Sequence, residues 1–155
     1  LYFASFSSGL DPAYPGFYQL DAEHLERNDA RFVDVIHTDG GVYGVLQSTG
    51  TADFFANGGK RPQPGCALIG IPLSPISLCS HWRSWRLYSE TVKNSRAFLA
   101  EECSSYAIFA LGLCRNNKHV YFGYSSPTNI SGKFYFDTYA EPPFKQRMLT
   151  TLDWP

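Results

Sequence analysis

The chain has 155 residues, of which 44% are hydrophobic and 17% charged, and its formal net charge is −1. This composition is typical of a globular protein and excludes a wholly disordered chain. The small net charge gives no electrostatic basis for binding nucleic acid, and no run reaches the roughly 18 apolar residues of a membrane-spanning helix. The chain begins at Leu1 without a recognisable signal peptide, so we expect that a segment precedes it.

Strands are predicted for the first part of the chain. The aromatic run Leu1–Phe6 predicts a strand that leads to Asp11, where the following proline disfavours continuation into a helix. Residues 13–29 are mixed and rich in turn-forming residues, which predicts a loop. The β-branched run from Phe32 to Thr38 predicts a strand that is buried on both faces.

The middle and the end of the chain change character. The glycine-rich residues 40–64 predict a loop with short strand pieces such as residues 42–46. A helical period follows from Ser80, the expected N-cap. The residues spaced for one face of this helix are His81, Trp85, Tyr88 and Val92. Aromatic runs at 119–124 and 133–139 predict two strands that pair with each other in antiparallel fashion.

Two polar residues at the ends of predicted elements, Asp11 and His81, are candidate catalytic residues. Acyl transfer by a Ser-His-Asp triad needs a histidine that takes the proton of the serine and an aspartate that orients the imidazole. Asp11 and His81 occur in the chain order of the α/β-hydrolases, in which the serine comes first, so the nucleophile is expected upstream of Leu1. Taken singly, an aspartate before proline is most often a turn residue, and a histidine at a helix start is most often a surface residue.

Five segments around these residues form a collinear series. They are Gly9-Leu10-Asp11-Pro12-Ala13, Phe32-Val33-Asp34-Val35-Ile36-His37-Thr38-Asp39, Asp53-Phe54-Phe55-Ala56-Asn57-Gly58-Gly59, Gln63-Pro64-Gly65-Cys66 and Cys79-Ser80-His81. The series resembles the animal neutral lipases of the pancreatic lipase family, which include insect phospholipases A1 and yolk proteins. The resemblance implies that residues 1–146 are the C-terminal half of an α/β-hydrolase domain, a mainly parallel sheet with flanking helices. The N-terminal half is expected to be absent and residues 147–155 to form a tail.

The resemblance makes predictions for the four cysteines and for the segment between Cys66 and Cys79. Four cysteines allow three pairings, and the residues alone do not exclude four reduced thiols. The resemblance implies the pairs Cys66–Cys79 and Cys103–Cys114. It also implies that the uncharged segment 67–78 is a lid that contacts lipid, whereas a loop packed into the core is the alternative. The candidate lid and substrate-binding residues are Leu68, Ile69, Ile71, Leu73, Ile76 and Leu78.

Other groups compete for a role. His37 is a rival base, but the resemblance implies that its motif is structural. Residues 123–127 resemble a Gly-x-Ser-x-Gly nucleophile elbow, yet proline replaces the last glycine and the segment follows His81. Glu26 and Asp29 are weak calcium candidates, because some relatives bind calcium in this loop; no other cofactor is expected. Asn129 begins an Asn-Ile-Ser glycosylation acceptor.

These observations predict a secreted, disulfide-bonded glycoprotein that hydrolyses carboxylic esters of lipids at an interface, as a lipase or a phospholipase A1. The resemblance implies Asp11 as the triad acid and His81 as the triad base. Without the upstream serine the isolated chain is expected to be inactive. The alternatives are a non-enzymatic lipid-binding or yolk-storage protein on the same fold, or a product without function; retention of both residues favours the enzyme. The sequence does not choose between triglyceride and phospholipid, and it does not give the oligomeric state.

Overall fold

A computed structural model describes residues 4–20 and 22–145, in which six strands and two α-helices form. The strands are β1 (Ser7–Leu10), β2 (Val33–His37), β3 (Ala52–Ala56), β4 (Leu99–Glu102), β5 (His119–Tyr121) and β6 (Gly132–Phe136). The helices are α1 (Cys79–Lys93) and α2 (Tyr106–Ala110). Irregular turns lie at Tyr14–Tyr18 and Asn57–Gly59. The expected tail at 147–155 lies outside the described residues.

One mixed sheet holds all six strands in the order β1-β2-β3-β6-β4-β5. The first four strands in this order run parallel, while β4 is antiparallel to both β6 and β5. The α/β class and the mainly parallel sheet predicted from the sequence are therefore confirmed. Because the carboxyl ends of parallel strands meet at one edge, the segments that follow β1, β2 and β3 converge there.

Both faces of the sheet are covered. On one face, Phe54 of β3 and Phe134 of β6 pack in a cluster with Leu87 of α1. On the other face, Phe55 and Tyr135 pack against the segment closed by the second disulfide. Burial on both sides explains why the central strands read as nearly continuous apolar runs, as expected for parallel strands.

The strands of the first half differ in position from the expected ones. The strand expected to lead from the aromatic run to Asp11 is β1, which begins at Ser7, while Ala4 makes an isolated bridge to Ala30 and residues 1–3 lie outside the described part. The strand piece expected at residues 42–46 is a turn, and the true strand is β3, which lies later in the same glycine-rich stretch. Glycines on both sides of the short apolar run of β3 obscured its pattern.

The predicted helix exists, but its buried face differs from the expected one. Its N-cap is Leu78 rather than Ser80, whose hydroxyl instead accepts a hydrogen bond from the backbone of Gln63. Trp85 and Val92 of the expected stripe are exposed. The residues that α1 buries are Ser80, Arg83, Ser84, Leu87 and Thr91. Four of these five side chains are polar and one is apolar, so hydrophobic periodicity does not detect this face.

The two aromatic strands near the end also exist, but they do not pair with each other. Strand β4 lies between β5 and β6 and is antiparallel to both. Its residues, Leu-Ala-Glu-Glu, have low strand propensity, so no local pattern predicts this strand. Tertiary pairing with two aromatic neighbours supplies what local preference lacks.

Two disulfides close short loops. They are Cys66–Cys79 and Cys103–Cys114, the two pairs that the resemblance implied, and their Cα–Cα distances are 5.6 and 5.7 Å. In the chain-entropy model each stabilises the fold by roughly 3 kcal/mol. No helix within residues 4–20 and 22–145 has the length and apolar character needed to cross a membrane.

Asp34 is a buried carboxyl group in the middle of β2. Among the described residues, neither of its carboxylate oxygens has a hydrogen-bond partner, although Ser8 of β1 is its neighbour in the strand register. Burial raises the pKa of Asp34 to about 6. Burying a carboxyl group without a hydrogen-bond partner is unfavourable, and the unfavourable free energy is largest for the ionised form.

This raised pKa predicts a stability change with pH. Since the native state holds the Asp34 proton more tightly than the unfolded state, stability falls as pH rises from the ordinary carboxyl pKa to about 6. We expect Asp34→Asn to flatten this dependence and to stabilise the protein at pH 7.5 by about 1–3 kcal/mol. Thermal unfolding between pH 4 and 7.5 measures both effects, with the exposed Glu141→Gln as the control. An unchanged pH dependence in Asp34→Asn would contradict the prediction.

Candidate active site

Asp11 lies at the carboxyl end of β1 and is almost fully buried. Its φ of 53° is in the left-handed region, which aspartate tolerates better than most residues. The backbone N–H groups of Thr38 and Asp39, just beyond the end of β2, donate to Asp11 Oδ1 at 2.8 and 3.0 Å. Parallel pairing of β1 with β2 therefore brings two donors to one carboxylate oxygen.

Gly44 closes the other side of this carboxylate. A Cβ atom added at Gly44 would overlap the carboxylate of Asp11, so a larger residue cannot occupy this position without displacing the carboxylate. The backbone of Val45 donates to the Pro12 carbonyl at 2.8 Å and holds the turn in place. Close backbone approach is one of the uses for which glycine is required. The turn at residues 40–45 thus shields Asp11 from water.

His81 is held in the first turns of α1, directly after the Cys66–Cys79 disulfide. Its Nδ1 lies 2.7 Å from Asp11 Oδ2. An ionised carboxylate only accepts, so Nδ1 carries the proton and donates. Among the described residues Nε2 has no hydrogen-bond partner, and the side chain is 25% exposed. The imidazole therefore has one nitrogen fixed by Asp11 and the other free to exchange a proton.

The electrostatics of the pair favour a charged imidazole. The hydrogen bond to Asp11 raises the pKa of His81 above its ordinary value, burial opposes this rise, and the negative charges of Asp11 and Asp39 add to it. The nearby Arg61 guanidinium acts in the opposite direction. A histidine next to a buried carboxylate is thereby prepared to accept a proton and to hold it for a time.

The Asp11–His81 pair gives a direct spectroscopic prediction. In Asp11→Asn the amide oxygen can still accept from Thr38 and Asp39, but the carboxylate charge is lost, so we expect the pKa of His81 to fall. Because the raised pKa stabilises the native state below the ordinary imidazole pKa and this benefit is lost as pH rises through the raised value, the variant should lose more stability at pH 5 than at pH 9. Titration of the His81 ring protons by NMR measures the change, with His119→Ala used to assign signals. An unchanged His81 pKa would contradict it.

His37 is fully buried and cannot act as a base in this structure. Its Nε2 lies 2.8 Å from Asp53 Oδ1 and its Nδ1 3.0 Å from the carbonyl oxygen of Val45, so acceptors occupy both ring nitrogens. The ring stacks on Phe55 with centroids 4.5 Å apart. His37 therefore ties β2 to β3 and to the turn that covers Asp11, which agrees with the structural role that the sequence favoured.

Sequence reasoning overlooked the charged pair beside Asp11. Asp39 is fully buried, and its carboxylate accepts two hydrogen bonds from the Arg61 guanidinium, from Nε and from Nη2. In the sequence, Asp39 is the last residue of the Phe32–Asp39 segment, and Arg61 lies in the glycine-rich stretch that predicts a loop. Their spacing of 22 residues corresponds to no local pattern that could have linked them.

In the described part of the chain, the segment between Cys66 and Cys79 is an exposed loop and does not pack into the core that this part forms. Ile69 and Ile71 are 82% and 79% exposed, and Leu68, Leu73 and Ile76 are exposed as well. Leu78 is half-buried because it forms the N-cap of α1. The loop thus presents five aliphatic side chains to solvent without a charged residue among them. An apolar patch of this kind marks an interaction surface.

The remaining candidates lie away from the Asp11–His81 pair. The Glu26 backbone donates to Asp29 Oδ2 at 2.8 Å, and within the described part of the chain no group of three His, Cys, Asp or Glu side chains is arranged to hold a metal, so calcium stays a prediction. Residues 123–127 follow β5, at the opposite edge of the sheet from β1. Asn129 is exposed in a turn.

Comparison with known proteins identifies the family of this chain. The family described as Lipase matches residues 7–144. This chain belongs to the lipase family. It is 34% identical to pancreatic triacylglycerol lipase of Ictidomys tridecemlineatus over 84% of the chain and 34% of that protein. It is 37% identical to lipase member H-B of Xenopus laevis, over 88% of the chain and 33% of that protein.

A further relative carries a different activity in its name. Phospholipase A1 member A of Homo sapiens is 38% identical over 69% of the chain and 24% of that protein. The chain spans about a third or less of the length of these relatives. Membership of the family supports a lipase-type hydrolase and the α/β-hydrolase fold that the sequence resemblance implied.

Proposed function

We propose that this chain supplies the acid and the base of a Ser-His-Asp triad that hydrolyses carboxylic esters of lipids. The observation that carries the proposal is the hydrogen bond between Asp11 and His81, with Nε2 of the imidazole left free at the carboxyl edge of the sheet. Relatives named as triacylglycerol lipase and phospholipase A1 support acyl esters of glycerolipids as the substrate class.

The geometry fits the two half-reactions of acyl transfer. His81 Nε2 takes the proton of the serine as its oxygen attacks the ester carbonyl, and it then gives this proton to the leaving alcohol. Water repeats the sequence on the acyl-enzyme and releases the fatty acid. Asp11 keeps the proton on Nδ1 and stabilises the imidazolium that forms in each half-reaction.

We place the serine and the oxyanion hole upstream of Leu1, in a segment that pairs with β1. Among the described strands, β1 has a neighbour on one side only, which leaves its outer edge available to another parallel strand. A strand added there would end next to Asp11, at the edge where His81 Nε2 is free. The proposal thus makes the active site a joint product of this chain and the segment before it.

Secretion is part of the proposal. Two disulfides close loops in the structure, and disulfides of this kind persist in oxidising compartments. The Asn129 acceptor is exposed in a turn, where a glycan would meet no packed neighbour. Both features support an extracellular glycoprotein.

The activity rests on His81, and its removal is the decisive test. In the full-length protein that contains this chain, we expect His81→Ala to lower kcat/KM for a short-chain p-nitrophenyl ester by about a thousandfold or more. His119→Ala, an exposed histidine on the edge strand β5, is the matched control and should retain activity. Hydrolysis that survives His81→Ala would contradict the proposal, and lipid binding without any hydrolysis would favour a lipid-binding protein instead.

The exposed loop at 67–78 is proposed to contact the lipid surface. We expect the double variant Ile69→Ser and Ile71→Ser to lose about 10-fold or more in partitioning onto phosphatidylcholine vesicles, because two largely exposed aliphatic side chains no longer enter the bilayer. Activity on a dissolved short-chain ester should stay within about twofold. Vesicle sedimentation measures binding, and Leu111→Ser, an exposed leucine in the other disulfide loop, is the control. Unchanged partitioning would contradict this role.

A further inference from the structure

The disulfide-closed loop at 67–78 is held by two side chains that lie outside it. The backbone N–H of Leu73 donates to the Tyr43 hydroxyl oxygen at 2.9 Å, and Ser77 Oγ lies 3.1 Å from the same oxygen. Arg61 Nη2 donates to the Ser77 carbonyl oxygen at 3.0 Å. Tyr43 thus holds the loop near its middle, and Tyr43 and Arg61 together hold it near its end.

The same two residues are also connected to the Asp11–His81 pair through Asp39. The Arg61 guanidinium binds both oxygens of Asp39 and lies 5.1 Å from the centre of the Tyr43 ring. The Asp39 backbone N–H donates to Asp11 Oδ1. A continuous series of contacts therefore runs from the loop through Tyr43, Arg61 and Asp39 to the carboxylate that orients the imidazole.

We propose that Tyr43 and Arg61 are positioning residues, which hold the loop against the active site and fix Asp39, and through its backbone Asp11, in the geometry that orients His81. The effect on hydrolysis rests on the proposed function, whereas the effect on the loop does not. Neither side chain hydrogen-bonds to Asp11 or to His81 in the described part of the chain, although the centre of the Tyr43 ring lies 6.1 Å from that of the His81 ring.

Arginine is required at position 61 because its side chain donates to three acceptor oxygens at once, two of Asp39 and one of Ser77. A planar guanidinium binds the two oxygens of Asp39 in parallel and still has an N–H for the Ser77 carbonyl, whereas the single ammonium of lysine cannot match this geometry. Asp39 also needs the partner, since burial raises the pKa of its carboxyl group and the hydrogen bonds from Arg61 oppose this rise.

Arg61 also acts on the imidazole through charge. Its guanidinium lowers the pKa of His81, against the effects of Asp11 and Asp39, which raise it. Loss of the positive charge at position 61 should therefore raise the pKa of His81. The acid limb of the pH–rate profile should then move to higher pH, a change that a general loss of packing would not produce.

Hydrogen exchange tests the contacts with the loop. In the full-length protein, Tyr43→Phe keeps the ring but removes the hydroxyl that meets Leu73 and Ser77. We expect amide exchange in a peptide covering residues 67–78 to become about 2- to 10-fold faster, the factor expected for the loss of one net hydrogen bond. Tyr124→Phe, which alters an exposed tyrosine at a distant turn, is the matched control. Unchanged exchange in Tyr43→Phe overturns the role of Tyr43.

The pH–rate profile of ester hydrolysis tests Arg61. We expect Arg61→Gln to lower kcat about 10- to 100-fold, the range for a misplaced catalytic group, and to move the acid limb to higher pH. Arg61→Lys should lower kcat less and leave the limb in place, because it keeps the charge and loses the fork geometry. Arg115→Gln is the exposed control. Equal thermal unfolding of the two Arg61 variants separates this effect from a loss of folding.

The outcomes separate the two proposals. An unshifted acid limb and unchanged kcat in Arg61→Gln overturn the role of Arg61. Hydrolysis that survives His81→Ala contradicts the proposed function instead. In that case the exchange measurement on Tyr43→Phe still decides whether the loop is held as inferred, because it does not depend on turnover.

Discussion

The buried carboxylate of Asp11 is the group around which the candidate site is built. A charged carboxylate removed from water is unfavourable unless hydrogen-bond donors replace the water. Here two backbone N–H groups from the end of β2 satisfy one oxygen and the His81 imidazole satisfies the other. The close approach of Gly44 excludes solvent from the same carboxylate. Each of these partners comes from a different segment, so Asp11 ties the carboxyl edge of the sheet to α1.

Polar side chains extend this arrangement outward from Asp11. The backbone N–H of Asp39 donates to Asp11, and the Asp39 carboxylate accepts from Arg61. His37, two residues earlier at the end of β2, links the same strand end to Asp53. Buried polar networks of this kind fix a single geometry because each member loses a partner if another moves. The loop at 67–78, apolar and exposed, is attached to this network rather than to the hydrophobic core.

The two disulfide loops differ in how they meet the sheet. Cys103–Cys114 closes a segment whose Phe109 packs on Phe55 and Tyr135, so that loop covers a face of the sheet. Cys66–Cys79 closes a segment that leaves its aliphatic side chains in solvent and ends where α1 begins, two residues before His81. A covalent link at this position fixes the start of the helix that carries the imidazole while the loop itself stays on the surface.

The sequence by itself determined the α/β class, the strand at β2 and the existence of a helix at α1, because apolar runs and helical spacing are local features of the chain. The resemblance to the lipases implied the pairing of Asp11 with His81. Periodicity could not predict this pairing, because two residues 70 positions apart share no local pattern.

Only the tertiary structure decided which face of α1 is buried, where β4 lies and which groups Arg61 binds. Strand β4 has low intrinsic propensity and forms because two aromatic strands flank it. Four of the five residues that α1 buries are polar, so this face leaves no hydrophobic period. Arg61 meets Asp39 and Ser77 across intervals of 22 and 16 residues. Contacts between distant segments arise from the packing of the whole sheet, and no local pattern of residues encodes them.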